Sequence, residues 1–155
     1  MPADKLMAYF KENKVKYKVI EHSEVYTAQE IAASAHIPGK QLAKTVMVKI
    51  DGEMAMAVLP ASYRVDFKQL KKAIGAKKVE LASEGEFKDM FPDCEVGAMP
   101  PFGHLYDMKV IVAESLTEEM VITFCGGSHT ELIQISFQDF ERLAKPKVVN
   151  FSIKG

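Results

Sequence analysis

Tryptophan is absent, and only two cysteines, Cys94 and Cys125, occur among 155 residues. Two thiols cannot make the disulfide framework of a small secreted domain, and a reducing compartment leaves both free. Long hydrophobic runs are missing too. The best candidate, residues 54–61, contains Pro60 and falls far short of the roughly 20 apolar residues a membrane helix needs. Neither sign of charge is in excess, since 20 basic residues face 21 acidic ones for a net charge of -1. That balance excludes a protein that grips long nucleic acid, DNA included, by charge alone. It leaves open one that touches only the end of an RNA. The opening residues, Met1-Pro-Ala-Asp-Lys-Leu6, lack the apolar core of a secretory leader, so the expected location is the cytoplasm, with no membrane partner. Repeats, low-complexity segments and a dividing linker are all missing. What remains is one expected domain spanning residues 1–155, with 48% hydrophobic residues to build its core.

Local patterns are clear in most of the chain. Leu6, Met7 and Phe10 sit near helical spacing in residues 4–12, which predicts an amphipathic helix. Residues 17–21 read as a short strand. Thr27-Ala-Gln-Glu30 is a capping-box pattern that opens a helix through residue 35, before Pro38-Gly39. Two apolar runs, 42–50 and 53–59, flank Asp51-Gly52 and predict a tight hairpin. Asp66 caps a helix through Ile74, with Gly75 just past its end. Ser83 and Glu86 form a second capping box, opening a short helix to about residue 91. Strands follow at 109–113, 121–125 and 130–135, the last two separated by a turn at Gly126-Gly127. Ser136 caps a final helix, 137–144, halted by Pro146. Strands and helices mix without a βαβ rhythm, which predicts an α+β fold with a mixed, largely hairpin-built sheet.

Two segments carry chemistry. In strand 42–50, alternation puts Leu42, Lys44, Val46, Val48 and Ile50 on one face. This is the more apolar face, expected to meet the core, and Lys44 is its one charged member. An ammonium held against apolar surface needs a partner or a bound anion, unless it snorkels to water near the strand start. Residues 96–103, Val96-Gly-Ala-Met-Pro-Pro-Phe-Gly103, hold two glycines and two prolines, so the loop should be shaped rather than loose. The amides of Gly97, Ala98 and Met99 are candidate donors to a carbonyl or oxyanion. The plain alternative is a turn.

Together, Leu42-Ala-Lys44-Thr45-Val46 and Gly97-Ala-Met-Pro-Pro101-Phe-Gly103 resemble the YbaK/prolyl-tRNA-synthetase-associated editing domain family. His22-Ser, Tyr26-Thr-Ala-Gln-Glu-Ile-Ala32, Val58-Leu-Pro-Ala61 and Cys125-Gly-Gly127 extend the resemblance, in order, over nearly the whole chain. It implies a partly rolled mixed sheet flanked by helices and a hydrolase acting in trans on mischarged tRNA. Alanine or cysteine on proline tRNA is the leading implied substrate, with serine or threonine next. Lys44 then matches the family's characteristic lysine, and Gly97 and Pro101 its G-x-x-x-P loop, with Ala98 and Met99 inside. The resemblance places Tyr26, Thr45, Gly126, Ser128 and His129 along the amino-acid pocket. It implies no metal, no cofactor and no side-chain nucleophile. Partners so implied are the acceptor end of a mischarged tRNA and an aminoacyl-tRNA synthetase.

Two rival readings stand beside it. Cys125 and His129, with His104 available, could form a thiol site, but Cys125 ends an apolar strand where a buried, inert thiol is expected. A non-catalytic module that binds aminoacyl-tRNA or a synthetase is the alternative function. Lys68, Lys71, Lys72, Lys77 and Lys78 form either a solvated face or a contact for acceptor-stem phosphates.

Overall fold

The computed structural model describes residues 4–21, 41–92, 94–95, 98–128 and 130–154. The helix expected at residues 31–35 and its capping box lie outside these, as do Tyr26, Gly97 and His129.

The central hairpin forms as its turn chemistry dictates. Strands β2 (Ala43–Ile50) and β3 (Glu53–Pro60) pair in antiparallel register from Ala43 opposite Pro60 to Ile50 opposite Glu53. Between them Asp51 and Gly52 take φ of 50° and 86°, the left-handed pair that a two-residue hairpin turn needs. Asp51 also accepts the backbone N–H groups of Lys77 and Lys78 at 2.9 and 2.8 Å. Three further strands complete this sheet: β5 (Val79–Leu81) runs antiparallel to β2, while β6 (Lys109–Ala113) and β9 (Lys147–Val149) extend it in parallel from β3. The spatial order is β5-β2-β3-β6-β9.

A second, antiparallel sheet has the order β1-β8-β7, built from β1 (Lys18–Glu21), β7 (Val121–Cys125) and β8 (Glu131–Ser136). One parallel bridge, Leu42 to Thr123, joins it to the head of β2. Two short strands, β4 (Tyr63–Val65) and β10 (Ser152–Lys154), pair apart from both sheets. The fold is α+β with mixed sheets and no closed barrel among the described residues.

Helices form where caps are present. In α2 (Phe67–Ile74), Asp66 accepts the Gln69 amide at 3.1 Å and Gly75 closes the end at φ 70°. In α3 (Glu84–Phe87), Glu86 accepts both the amide and the hydroxyl of Ser83 at 2.9 Å; a 3-10 turn then carries the segment to Met90. In α4 (Phe137–Ala144), Ser136 accepts the Asp139 amide at 3.1 Å. The first helix, α1 (Asp4–Glu12), buries Leu6 and Phe10. No helix among the described residues is long and apolar enough to cross a membrane.

The apolar face of β2 meets a core as expected, and its other face is packed too: Ala43 and Met47, at 4% and 3% exposure, belong to the larger apolar cluster with α1 and α4. The opposite face, with Val46, Val48 and Ile50, packs on a second cluster that includes Leu70 of α2 and Phe151. A strand inside a sheet covered on both sides has no outer face, so alternation alone does not tell the two apart.

Candidate active site

Lys44 lies on the α2 side of the sheet, directly opposite the buried Leu59 of β3. Its side chain is half-buried, and no described residue forms a hydrogen bond or ion pair with its ammonium. Burial pushes its pKa below the ordinary lysine value, because a cation loses hydration without gaining a counter-charge. The fold thus holds a dehydrated cation that an anion would satisfy.

Strand register places the neighbours of Lys44. From the Leu42–Thr123 bridge, β2 and β7 run in the same direction, so Lys44 and Cys125 each stand two residues beyond it, on one face. Gly126 and Gly127 follow at once. Gly127 accepts the Glu95 N–H at 2.7 Å and donates to the Ala98 carbonyl at 2.9 Å. These two bonds fasten the proline loop to the turn beside Lys44. Gly127 has φ of 111°, a conformation that disfavours a side chain.

The loop is also anchored at its far end. Ala98, Met99, Pro100 and Pro101 are buried, and Phe102 plunges into the core. Its ring meets Phe10 at 5.4 Å, Phe124 at 5.7 Å and Phe140 at 5.7 Å between centroids, at the steep interplanar angles that aromatic rings prefer. The next residue, Gly103, admits no side chain, since a Cβ there would lie 2.6 Å from the Met108 carbonyl oxygen. Alternation and periodicity do not reveal this anchoring; a phenylalanine flanked by proline and glycine was its one visible sign.

Inside the loop, one expected donor is already engaged. The Ala98 N–H donates to the Glu95 carbonyl at 3.1 Å, so it is not a free donor. Thr45 lies on the opposite face of β2 from Lys44, across from Val58. Gly126 and Ser128 are buried beside the loop, with the Ser128 hydroxyl turned to Glu131 Oε1 at 3.3 Å. Strand register thus sets Lys44 level with Cys125, just before Gly126, and the Gly127 bonds bring Ala98 to the same turn; Thr45 lies on the other face of β2.

The thiol reading loses its support here. Burial, and secondarily the Glu95 carboxylate, push the Cys125 thiol up to about 11, so the nucleophilic thiolate is scarce at neutral pH. His104 is occupied elsewhere, its ring 4.7 Å from that of Tyr9. Burial first and Lys145 second hold its pKa below the usual histidine value. Two cavities among the described residues are not lined by Lys44. One is bordered by His104, Met90 and Lys5; the other, about 450 Å³, lies under the hairpin turn between Ile74 and Lys147.

The chain is similar to several known proteins. The chain is 28% identical over 152 residues to the multifunctional Ser/Thr-tRNA deacylase ProXp-y of Escherichia coli (strain K12), covering 95% of this chain and 90% of the relative. It is 27% identical over 103 residues to a proline–tRNA ligase of Bacillus mycoides (strain KBAB4), where the match covers 66% of this chain but 18% of the ligase. A solved structure described as a proposed trans-editing enzyme for prolyl tRNA synthetase shares the fold, with a TM-score of 0.81 at 17% identity over 96% of this chain and 95% of that one. The family profile of the aminoacyl-tRNA editing domain matches residues 22–143, and the chain belongs to that family.

Proposed function

We propose that this deacylase acts in trans, hydrolysing the ester between a small, wrongly attached amino acid and the terminal ribose of a tRNA. The observation that carries the reading is Lys44: a half-buried ammonium without a partner among the described residues, beside a loop fastened at both ends. Such a cation binds an anion strongly because its hydration is already lost. In this reading Lys44 holds the phosphate or ribose region of the terminal adenosine. The loop formed by Gly97, Ala98, Met99 and Pro101 then sets the ester carbonyl. The Ala98 amide donates to the Glu95 carbonyl, so it is not counted among the oxyanion donors proposed for this loop.

No side chain need become acylated. Water attacks the ester carbon, a hydroxyl of the substrate's own terminal ribose takes part in moving its proton, and the tetrahedral oxyanion collapses. The ribose oxygen leaves with a proton, giving a free amino acid and an uncharged tRNA end. Rigid fastening of the loop favours such chemistry, because donors already in place cost no reorganisation as charge develops. Tyr26, Thr45, Gly126, Ser128 and His129 are the proposed pocket wall.

Substrate choice follows the relatives. One is a Ser/Thr-tRNA deacylase and another a proline–tRNA ligase, so serine and threonine join alanine and cysteine as proposed substrates, on proline tRNA first. Lys68, Lys71, Lys72, Lys77 and Lys78 all lie exposed on or just after α2. We assign them to acceptor-stem phosphates, for which charge reversal should weaken tRNA binding and flatten its salt dependence. An unchanged salt slope removes the patch from the interface.

The deciding experiment is a deacylation panel of tRNAs mischarged with alanine, cysteine, serine and threonine, with wild type and Lys44→Ala. Release by wild type and none by the folded variant supports the reading. Tight binding of mischarged tRNA with no release by wild type would instead establish the non-catalytic binding module.

A further inference from the structure

Among the described residues, the buried polar and charged side chains are Thr123, Ser128 and Glu131, and all belong to β7, β8 or the turn between them. Thr123 is satisfied by Gln134, whose Nε2 donates to its hydroxyl at 3.0 Å. Ser128 and Glu131, at 8% and 9% exposure, meet each other: the Ser128 hydroxyl donates to Glu131 Oε1 at 3.3 Å. A carboxylate withdrawn from water is costly unless its oxygens are bonded. Its presence under this turn therefore calls for a local reason.

The backbone supplies one. The Gly126 N–H donates to the Glu131 carbonyl at 3.1 Å, the Gly127 N–H donates to the Ala98 carbonyl at 2.9 Å, and the Glu95 N–H donates to the Gly127 carbonyl at 2.7 Å. Hydrogen bonds thus run without a break from Glu131, through the 126–128 turn, into the loop that ends at Pro100 and Pro101. Alternation along β8 puts Glu131 on the face of Ile133 and Ile135, which belong to the larger core. Lys44 lies on the other face. Glu131 reaches the loop from beneath and does not face the substrate side.

We propose that Glu131 is a positioning residue: its carboxylate braces Ser128, and the turn so held sets the loop that receives the ester. This assignment rests on the deacylase reading for its effect on rate. Its effect on the loop can be measured without any activity.

The experiment pairs amide hydrogen exchange with deacylation kinetics for Glu131→Ala, Glu131→Gln and Ser128→Ala. Glu131→Ala should speed exchange at the Gly127 and Glu95 amides about tenfold or more, while β2–β3 amides stay within about twofold of wild type. Its kcat should fall about tenfold with KM nearly unchanged, since binding groups remain and only the transition-state geometry is lost. Glu131→Gln keeps an acceptor for the Ser128 hydroxyl and should recover to within about threefold of wild type. Should Glu131→Ala fail to fold, Ser128→Ala gives the exchange readout at smaller amplitude. Unchanged exchange at Gly127 and Glu95 overturns the proposal, and so does equal acceleration across the β2–β3 hairpin. A wild type inactive on every mischarged tRNA sinks the deacylase reading instead, and exchange still decides the brace.

Discussion

Two lysines on one strand have opposite fates. Lys49, near the hairpin end of β2, lies 2.6 Å from Glu86 and 3.6 Å from Glu80. The Glu86 hydrogen bond, above all, raises its pKa. Lys44, five residues earlier, meets no acid among the described residues and has its pKa lowered by burial. The same chain that surrounds one ammonium with carboxylates leaves the other facing apolar surface. A half-buried cation with no partner among the described residues is a candidate for binding something outside the fold.

The strongest way to break this contrast is to remove each charge in turn. Lys44→Ala should lower deacylation at least about 100-fold with an unchanged circular dichroism spectrum, whereas Lys49→Ala should stay within about twofold. Equal losses from both would make the contrast meaningless. Next in size is stability. Lys44→Met exchanges a half-buried charge, with no partner among the described residues, for an apolar chain and should leave Tm at or above the wild-type value. A clear fall in Tm would show that Lys44 has a structural partner.

Acid offers a smaller test at the other end of the strand. Glu86 is held at about 2 against an ordinary 4.5, first by the Lys49 hydrogen bond and then by Ser83. A depressed carboxyl stabilises the fold above its unfolded pKa, and that contribution disappears as pH falls through the folded value. The effect of Glu86→Gln on Tm should therefore be present at pH 6 and shrink between about pH 4.5 and 2. The pair is exposed, so the effect should be modest and weakened by salt. The smallest expected change is at Cys125. Cys125→Ala should keep activity within about twofold, and wild-type activity should resist iodoacetamide, as a protonated, half-buried thiol demands.

Much of the fold was legible because local chemistry determines it. The Asp51-Gly52 turn, the Asp66, Ser83 and Ser136 caps and the Gly75 stop are each satisfied within a few residues, so short-range patterns reveal them. Strands β4, β5, β9 and β10 were not legible. Each has three residues, too few for alternation to register, and each exists because a distant strand offers it hydrogen bonds. Of the candidate site, Lys44 stood out as a charge among apolar residues. The bonds by which Gly127 holds Glu95 and Ala98 depend on a chain crossing that no spacing encodes.

The missing features that framed the sequence mark the same boundary. Few cysteines, no long apolar run and balanced charge, with turns, caps and one odd lysine, determined an α+β domain and the residue types on which its chemistry depends. These are properties of composition and of neighbours in sequence. That both faces of β2 are packed and what fastens the proline loop were decided only by tertiary structure. Each depends on groups brought together from distant parts of the chain: Leu42 with Thr123, Gly127 with Glu95 and Ala98, Phe102 with the core. Burial and hydrogen-bond partners are properties of that assembly, and they decide whether a lysine is a surface charge or a binding group.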